Sequence, residues 1–401
     1  MKKDWEIKKL SEVCEINIGR TPERGNSKMW DKEKKTENVW LSIADLNNAE
    51  DGYISDSSEY VSDNAVPKMK LVKANTLLMS FKLTIGRCAI TKRELFTNEA
   101  IAALPIIDKD LDLFFLKYYL ENFDWAKLTE GDVKVKGKTL NKEKLKEVPI
   151  TVPPREEQKR IVKILDEKIA QLETIKTNAQ TNLQNAKDLF QSQLTKAFSN
   201  TTWEKKRLGN CGTFKNGMNF AATERGYTIR SLGVGDFKDR YSIDNTETLS
   251  EISLKAAPSE DYLLHDGDIV FVRSNGNKEL VGRCLLVYPK DTPTTYSGFC
   301  IRFRKDFDLL DADFLLHFMK AESSRKILNG KEGANISNLN QKILSDFEVP
   351  LPPLPEQKRI VEQLDSLSEK TKALQNIYEQ MLLDCEELKQ SFLCKAFAGE
   401  L

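Results

Sequence analysis

Two long stretches of the chain carry apolar residues at heptad spacing. In the later one, Ile360, Leu367, Leu374, Met381 and Leu388 form one line, and Leu364, Thr371, Tyr378, Cys385 and Phe392 form another four residues on. Two such lines are the seam of a helix that packs along a second helix. The earlier stretch keeps the same frame, with Ile161, Ile175 and Leu189 on one line and Leu165, Leu172, Ala179 and Ala186 on the other. Lys168, Asn182 and Gln193 interrupt it, as polar seam positions that fix register do. Proline, tolerated in a first helical turn, opens each stretch, and Glu156, Glu157 and Glu356 follow where the helix dipole favours negative charge. The pattern predicts helices from about Pro154 to Phe198 and from about Pro355 to Phe397, each a rod of roughly 65 Å at about 1.5 Å per residue.

The two stretches are copies. "VPPREEQKRIVKILD" (Val152–Asp166) matches "LPPLPEQKRIVEQLD" (Leu351–Asp365), and "LTKAF" (Leu194–Phe198) matches "LCKAF" (Leu393–Phe397). The match extends through Gly86-Arg87-Cys88 against Gly282-Arg283-Cys284, and "WEIKKL" (Trp5–Leu10) against "WEKKRL" (Trp203–Leu208). One unit of roughly 200 residues is therefore written twice, and an internal repeat of this kind decides the fold. Two rods in one chain pack most economically on each other, and connectivity then makes them antiparallel. The other arrangement has each helix packing on its own globular domain.

The globular halves alternate short apolar runs with polar loops. Asn75–Lys82, Gly86–Ile90, Asp268–Ser274, Gly282–Tyr288 and Phe299–Arg304 read as strands, and Leu111–Glu121 and Asp313–Leu328 as helices. The fold class expected is mixed α/β, with two globular domains joined by a long antiparallel two-helix coiled coil and related by a pseudo-two-fold repeat. The expected boundaries are 1–152, 153–199 (first helix), 200–351 and 352–401 (second helix).

Composition narrows the chemistry. With 61 Lys and Arg against 61 Asp and Glu, the 401 residues carry no net charge, so any nucleic-acid role must rest on local patches or on a partner's surface. Seven cysteines without a CxxC pair, and two histidines, His265 and His317, favour neither a zinc site nor a disulfide framework. Cys88 and Cys284 read as small buried apolar side chains. No apolar run approaches the roughly 20 residues of a membrane span, and "MKKDWEIKKL" lacks the apolar stretch of a secretion signal. A reducing cytoplasm fits best.

The sequence offers no catalytic motif. There is no phosphate-cradling GxxxxGK[ST], no GxGxxG after a strand, and no Asn/Asp-Pro-Pro-aromatic loop to hold a flipped adenine. Neither histidine has an obvious partner, and Asp166–Lys168 sits on a helix surface.

The loops hold a different chemistry. "GRTPERGNSKMW" offers Arg20, Thr21, Arg24, Asn26, Lys28 and Trp30; "RSNGNK" offers Arg273, Ser274, Asn275, Asn277 and Lys278. Arginine pairs with guanine edges and asparagine with adenine edges in a major groove. Lys136 and Lys138 suit phosphates, and Lys82, Arg87, Arg225 and Arg283 are further basic candidates. Each loop by itself also reads as a solvated turn. Gln158, Arg160, Gln357 and Arg359, in the repeated "EQKRIV", read as helix-surface residues that dock a partner.

These motifs together resemble the specificity subunit of type I restriction–modification systems, along the whole chain. The resemblance rests on the repeated "PP…EQKRIV…LD" helix starts, the "LTKAF" and "LCKAF" helix ends, "GRTP", and the "WEIKKL" and "WEKKRL" openings. It implies that each globular half reads one half of a split, asymmetric site in double-stranded DNA, with the helices setting the gap. It implies docking of two modification subunits, which methylate adenine N6, and of restriction (translocase) subunits. S-adenosylmethionine, ATP and Mg are then expected on those partners, with no cofactor or metal and no catalysis on this chain. Two other readings compete: a coiled-coil scaffold whose end domains bind peptides, and a nucleic-acid enzyme with an unrecognised site.

Overall fold

The computed structural model describes residues 4–50, 52–129, 133–134, 137–138, 140–200, 202–221, 223–237, 240–328 and 338–401. It divides into two compact units, Met1–Asn178 with Met381–Leu401, and Ala179–Gln380. Both long helices run through the boundary, the first spanning Arg155–Ala197 and the second Leu354–Ala398. Both ends fall within a residue or two of the heptad prediction.

The units share one topology. In the first, a five-stranded sheet has the order Asn17–Ile18, Ile101–Leu104, Leu77–Ser80, Cys88–Thr91, Tyr53–Ile54. In the second, the order is Gly212–Asn216, Cys300–Lys305, Asp268–Val272, Cys284–Val287, Ser242–Ile243. The central pairs are antiparallel and the last strand joins parallel, in both sheets. A three-stranded sheet accompanies each: Glu59–Tyr60, Val39–Leu41, Phe96–Thr97, and Glu251–Leu254, Tyr227–Leu232, Thr294–Tyr296. The central strands are buried throughout, which is why they read as continuous apolar runs.

Beside each sheet lies a capped helix. Asp112 accepts from the amides of Phe114 and Phe115 at the start of Leu113–Asn122, and Asp311 from Phe314 at the start of Ala312–Lys320. These carboxylates satisfy amides that have no partner within the helix. The single helix expected over Asp313–Leu328 is broken at Ala321, whose extended ψ of 140° separates it from a second helix, Glu322–Leu328.

The repeated motifs are contacts made twice. Phe397 closes edge-on over Phe115 and Tyr119, with centroids 5.5 and 5.2 Å away. Phe198 does the same over Phe314 and Phe318, at 5.3 and 5.2 Å. Each such pair adds about 0.5–1.5 kcal/mol beyond the area it buries. The first unit's core contains Ile161 and Leu165 from the start of the first helix, with Leu393 and Ala396 from the end of the second. The second unit's core contains Phe190 and Leu194, with Ile360 and Leu364. Within each unit, then, the start of one helix lies against the end of the other, and the two segments are antiparallel. This excludes the arrangement in which each helix packs on its own domain alone.

The heptad frame needs one correction. Leu165, Leu172, Ala179 and Ala186 are buried, as are Leu364, Thr371 and Cys385. The companion line lies on the other side of them, through Ile169, Lys176, Leu183 and Phe190, and through Ser368, Gln375, Leu382 and Lys389. The line expected there is buried only at the helix starts, at Ile161 and Ile360; Leu367 and Met381 are half-buried, and Ile175, Leu189, Leu374 and Leu388 face water, 41, 44, 40 and 47% exposed. Lys168 and Asn182 are exposed as well, so they do not interrupt the seam.

Candidate nucleic-acid interface

The hairpin turns are closed by the same pair of backbone hydrogen bonds and differ in length and sequence between them. In the first unit Ser80 donates to Arg87 O and Gly86 to Ser80 O, both at 2.9 Å; in the second Val272 donates to Arg283 O at 2.8 Å and Gly282 to Val272 O at 2.9 Å. Gly86 and Gly282 both sit at positive φ, 87° and 79°, where a side chain would be strained. Between these anchors the first unit has Phe81–Ile85 and the second has the longer Arg273–Val281. The matched frame comes from the buried strands, and the difference lies in the exposed loop.

In the first unit the Gly19–Trp30 loop crosses the three-stranded sheet, from Thr97 on one edge strand to Glu59 on the other. Arg20 donates its amide to Thr97 O, and Thr21 donates to the Glu99 carboxylate. That bond is the main cause holding Glu99 below the usual carboxylate range. Arg24 forks onto Glu59, with Nη2 3.1 Å from Oε2 and Nη1 on Oε1. Its guanidinium also lies over Trp30 and Trp40, 4.3 and 4.7 Å from their centroids. Asn26 caps the short turn Ser27–Met29 by accepting from the Lys28 amide, and Lys28 itself is exposed. Arg87 donates to Asn47 and stays exposed, while Lys82 lies over Phe81 at 5.4 Å.

In the second unit Arg273 donates its amide to Phe299 O at 2.8 Å, and Ser274 bridges to Asn338. Asn275 and Asn277 shape the turn, accepting from the amides of Asn277 and Glu279 at 2.8 and 3.0 Å. Phe299, beside them, is 58% exposed. Arg283 is half-buried, and Arg225 is exposed with Nη1 on Glu224 O at 2.6 Å. Lys136 and the side chains of Lys138 and Lys278 lie outside the described residues. The structure thus places Arg20, Thr21, Arg24 and Trp30 in one loop across the three-stranded sheet, and Arg273, Ser274, Asn275 and Asn277 in one turn.

The repeated hexamer has a different role from the expected one for two of its residues. Gln158 and Gln357 are fully buried. Gln158 accepts from the Asp112 amide at 2.8 Å and donates to Asp110 O and Pro153 O at 2.9 and 2.7 Å. Gln357 accepts from Asp311 at 2.9 Å and donates to Leu309 O and Pro352 O, each at 2.8 Å. Both therefore clasp a long helix to its own domain, and their amides face no partner. Arg160 and Arg359 remain on the surface, paired with Glu157 and Glu356.

The histidines do have partners: His265 Nε2 lies 2.8 Å from Glu260, and buried His317 lies 2.8 Å from Asp365. In the first unit Tyr118 donates to Asp166 in the matching place, at 2.6 Å, so these aspartates serve helix–domain ties. Cys88 and Cys284 are buried, as expected, and burial pushes the Cys284 thiol up to about 11. Among the described residues no His, Cys, Asp or Glu cluster is placed to hold a metal ion, and no helix is long and apolar enough to cross a membrane.

A mixed α/β unit built twice, with a constant clasp and divergent polar loops, defines a duplicated recognition protein. The chain belongs to the Methylase_S family, the type I restriction modification DNA specificity domain, which matches residues 2–183 and 200–382. It is 29% identical over 276 residues to the StySPI specificity subunit of Salmonella potsdam, an alignment covering 63% of this chain and 58% of that one. It is 25% identical to the MjaIX specificity subunit of Methanocaldococcus jannaschii, covering 100% of this chain and 94% of that one. In fold it is similar to a chain from a study of assembly and conformational transition of the type I R-M system, with a TM-score of 0.79, 18% identity, and 100 and 99% coverage. The HsdS subunit from Thermoanaerobacter tengcongensis follows at a TM-score of 0.60, with 17% identity and 100 and 98% coverage. The chain is thus a type I specificity subunit with two DNA-recognition domains, and the peptide-binding scaffold has no support.

Proposed function

We propose that each unit reads one half of a bipartite, asymmetric site in double-stranded DNA. The observation that carries this is the contrast between the hairpin turns: closed by the same hydrogen bonds at Ser80–Gly86 and Val272–Gly282, unlike in what they present between those anchors. Two readers on one frame with different loops call for two different half-sites. The long helices set the gap between the halves. Arg160, Arg359 and the adjoining helix surfaces dock two modification subunits, which transfer a methyl group from S-adenosylmethionine to adenine N6. Restriction subunits, working with ATP and Mg, join that core in the cytoplasm. This chain supplies address alone, which accords with its zero net charge: the partners help to enclose the DNA.

Mapping methylated adenines in the host genome, with and without this chain, tests the reading. Loss of a two-part motif with the chain supports it, and an unaltered methylation pattern refutes it.

A further inference from the structure

We infer that Arg24 and Glu59 together read one G·C base pair through the major groove, in the half-site of the first unit. The inference rests on that unit reading DNA. Trp30 and Trp40 meet edge to face, 5.1 Å apart at 89°. Each is fixed by its indole N–H: Trp30 donates to Glu23 O at 3.1 Å and Trp40 to Arg20 O at 3.0 Å. The loop backbone thus holds the rings, and the rings hold the guanidinium. Glu59, directly across the strand pair from Trp40, holds its far end.

A guanidinium has five N–H groups, and an ionised carboxylate has about four acceptor positions. The Arg24–Glu59 contact uses one N–H from each terminal nitrogen of Arg24, so donors remain on one side and acceptors beside them. A G·C pair presents N7 and O6 of guanine as acceptors and, next to O6, the N4 amino group of cytosine as donor. Arginine donates to the first two, and glutamate accepts from the third. The pair is accessible for this, with side chains 55 and 37% exposed beside a cavity of about 410 Å³. Asp31, the other carboxylate lining that cavity, is committed to the Thr36 amide at 2.6 Å.

The fold does not require this cage. Trp40 pairs with Phe96 as Ser231 pairs with Thr295 in the second unit, which builds the same three-stranded sheet with serine at that place. The arrangement is therefore specific to the first unit, where a target-specific reader belongs. Rings and carboxylate hold Arg24 in position beforehand, so little rotamer entropy is lost on contact.

The test selects sequences from a randomised duplex library with the chain co-expressed with its modification subunit. Native chain, Glu59→Gln and Arg24→Lys are compared. Glu59→Gln keeps the shape and a hydrogen bond to Arg24; Arg24→Lys keeps the charge and loses the fork. The native protein is expected to select a two-part consensus containing a G·C pair whose preference falls roughly tenfold or more in both variants, with every other position retained. Equal weakening on all sequences would make Arg24 a phosphate contact and overturn the inference, as would an unchanged consensus. A native protein that selects no sequence would refute DNA reading itself, and the inference with it.

Discussion

Gln158 and Gln357 grip equivalent backbone atoms in the two units: the amide of a helix-capping aspartate, a loop carbonyl, and the carbonyl of the first proline in each "PP" pair. A side-chain amide with one acceptor and two donors completes all three bonds, and glutamate, arginine or alanine cannot. The hexamer is repeated because a helix start must be fixed to its domain twice.

Gln158→Ala, or Gln357→Ala, leaves the aspartate amide and two carbonyls without that partner. Each substitution is expected to cost about 1–3 kcal/mol, the penalty for stranding buried polar groups. Urea denaturation of the purified chain measures it, and a loss below about 0.5 kcal/mol would mean the clasp is not structural.

The corrected seam gives a second expectation. Leu364→Ala should cost about 2–5 kcal/mol, because the residue is 3% exposed in a packed core. Leu374→Ala and Leu388→Ala should each cost about 0.5 kcal/mol or less, since both side chains already face water. Equal losses at the three positions would restore the frame first read from the spacing.

Acid should weaken the tie between the strand Glu6–Lys9 and the loop that carries Asp108. Asp108 sits 2.8 Å from Lys8, and that hydrogen bond holds its carboxyl below the usual range and raises the lysine. A depressed carboxyl stabilises the fold above its unfolded value, about 3.9, and the contribution drains as pH falls through the lower folded value. The raised lysine contributes in full below its unfolded value, about 10.4, and loses this only as pH rises through the folded value. Asp108→Asn should therefore be less stable than the native chain at about pH 7, with the gap closing as the pH falls below about 3.9. Denaturation midpoints across that range decide it; a gap independent of pH would contradict the assignment.

Much of the scaffold was legible because its contacts are duplicated. Phe198 and Phe397 fill the same aromatic notch, so both helix ends kept their sequence. The seam was misread because Leu374 and Leu388 are apolar yet exposed, while Gln375 and Lys389 lie on the packed side. Spacing alone cannot choose between flanks when both hold mixed residues. The clasp was misread because a glutamine inside a charged run looks solvated. In the candidate site, Arg24 and Trp30 were visible in the loop. Glu59, Glu99, Asn47 and Trp40 were missed, because their pairing depends on strand register, which no local signal encodes.

The most direct test of the account replaces residues 200–351 with the matching segment of a related specificity subunit, and maps methylated adenines in cells that carry the hybrid. One half of the methylated motif should change and the other half should persist. A fully assembled hybrid that leaves the motif intact, or alters both halves at once, would contradict the claim that each unit reads its own half of the site.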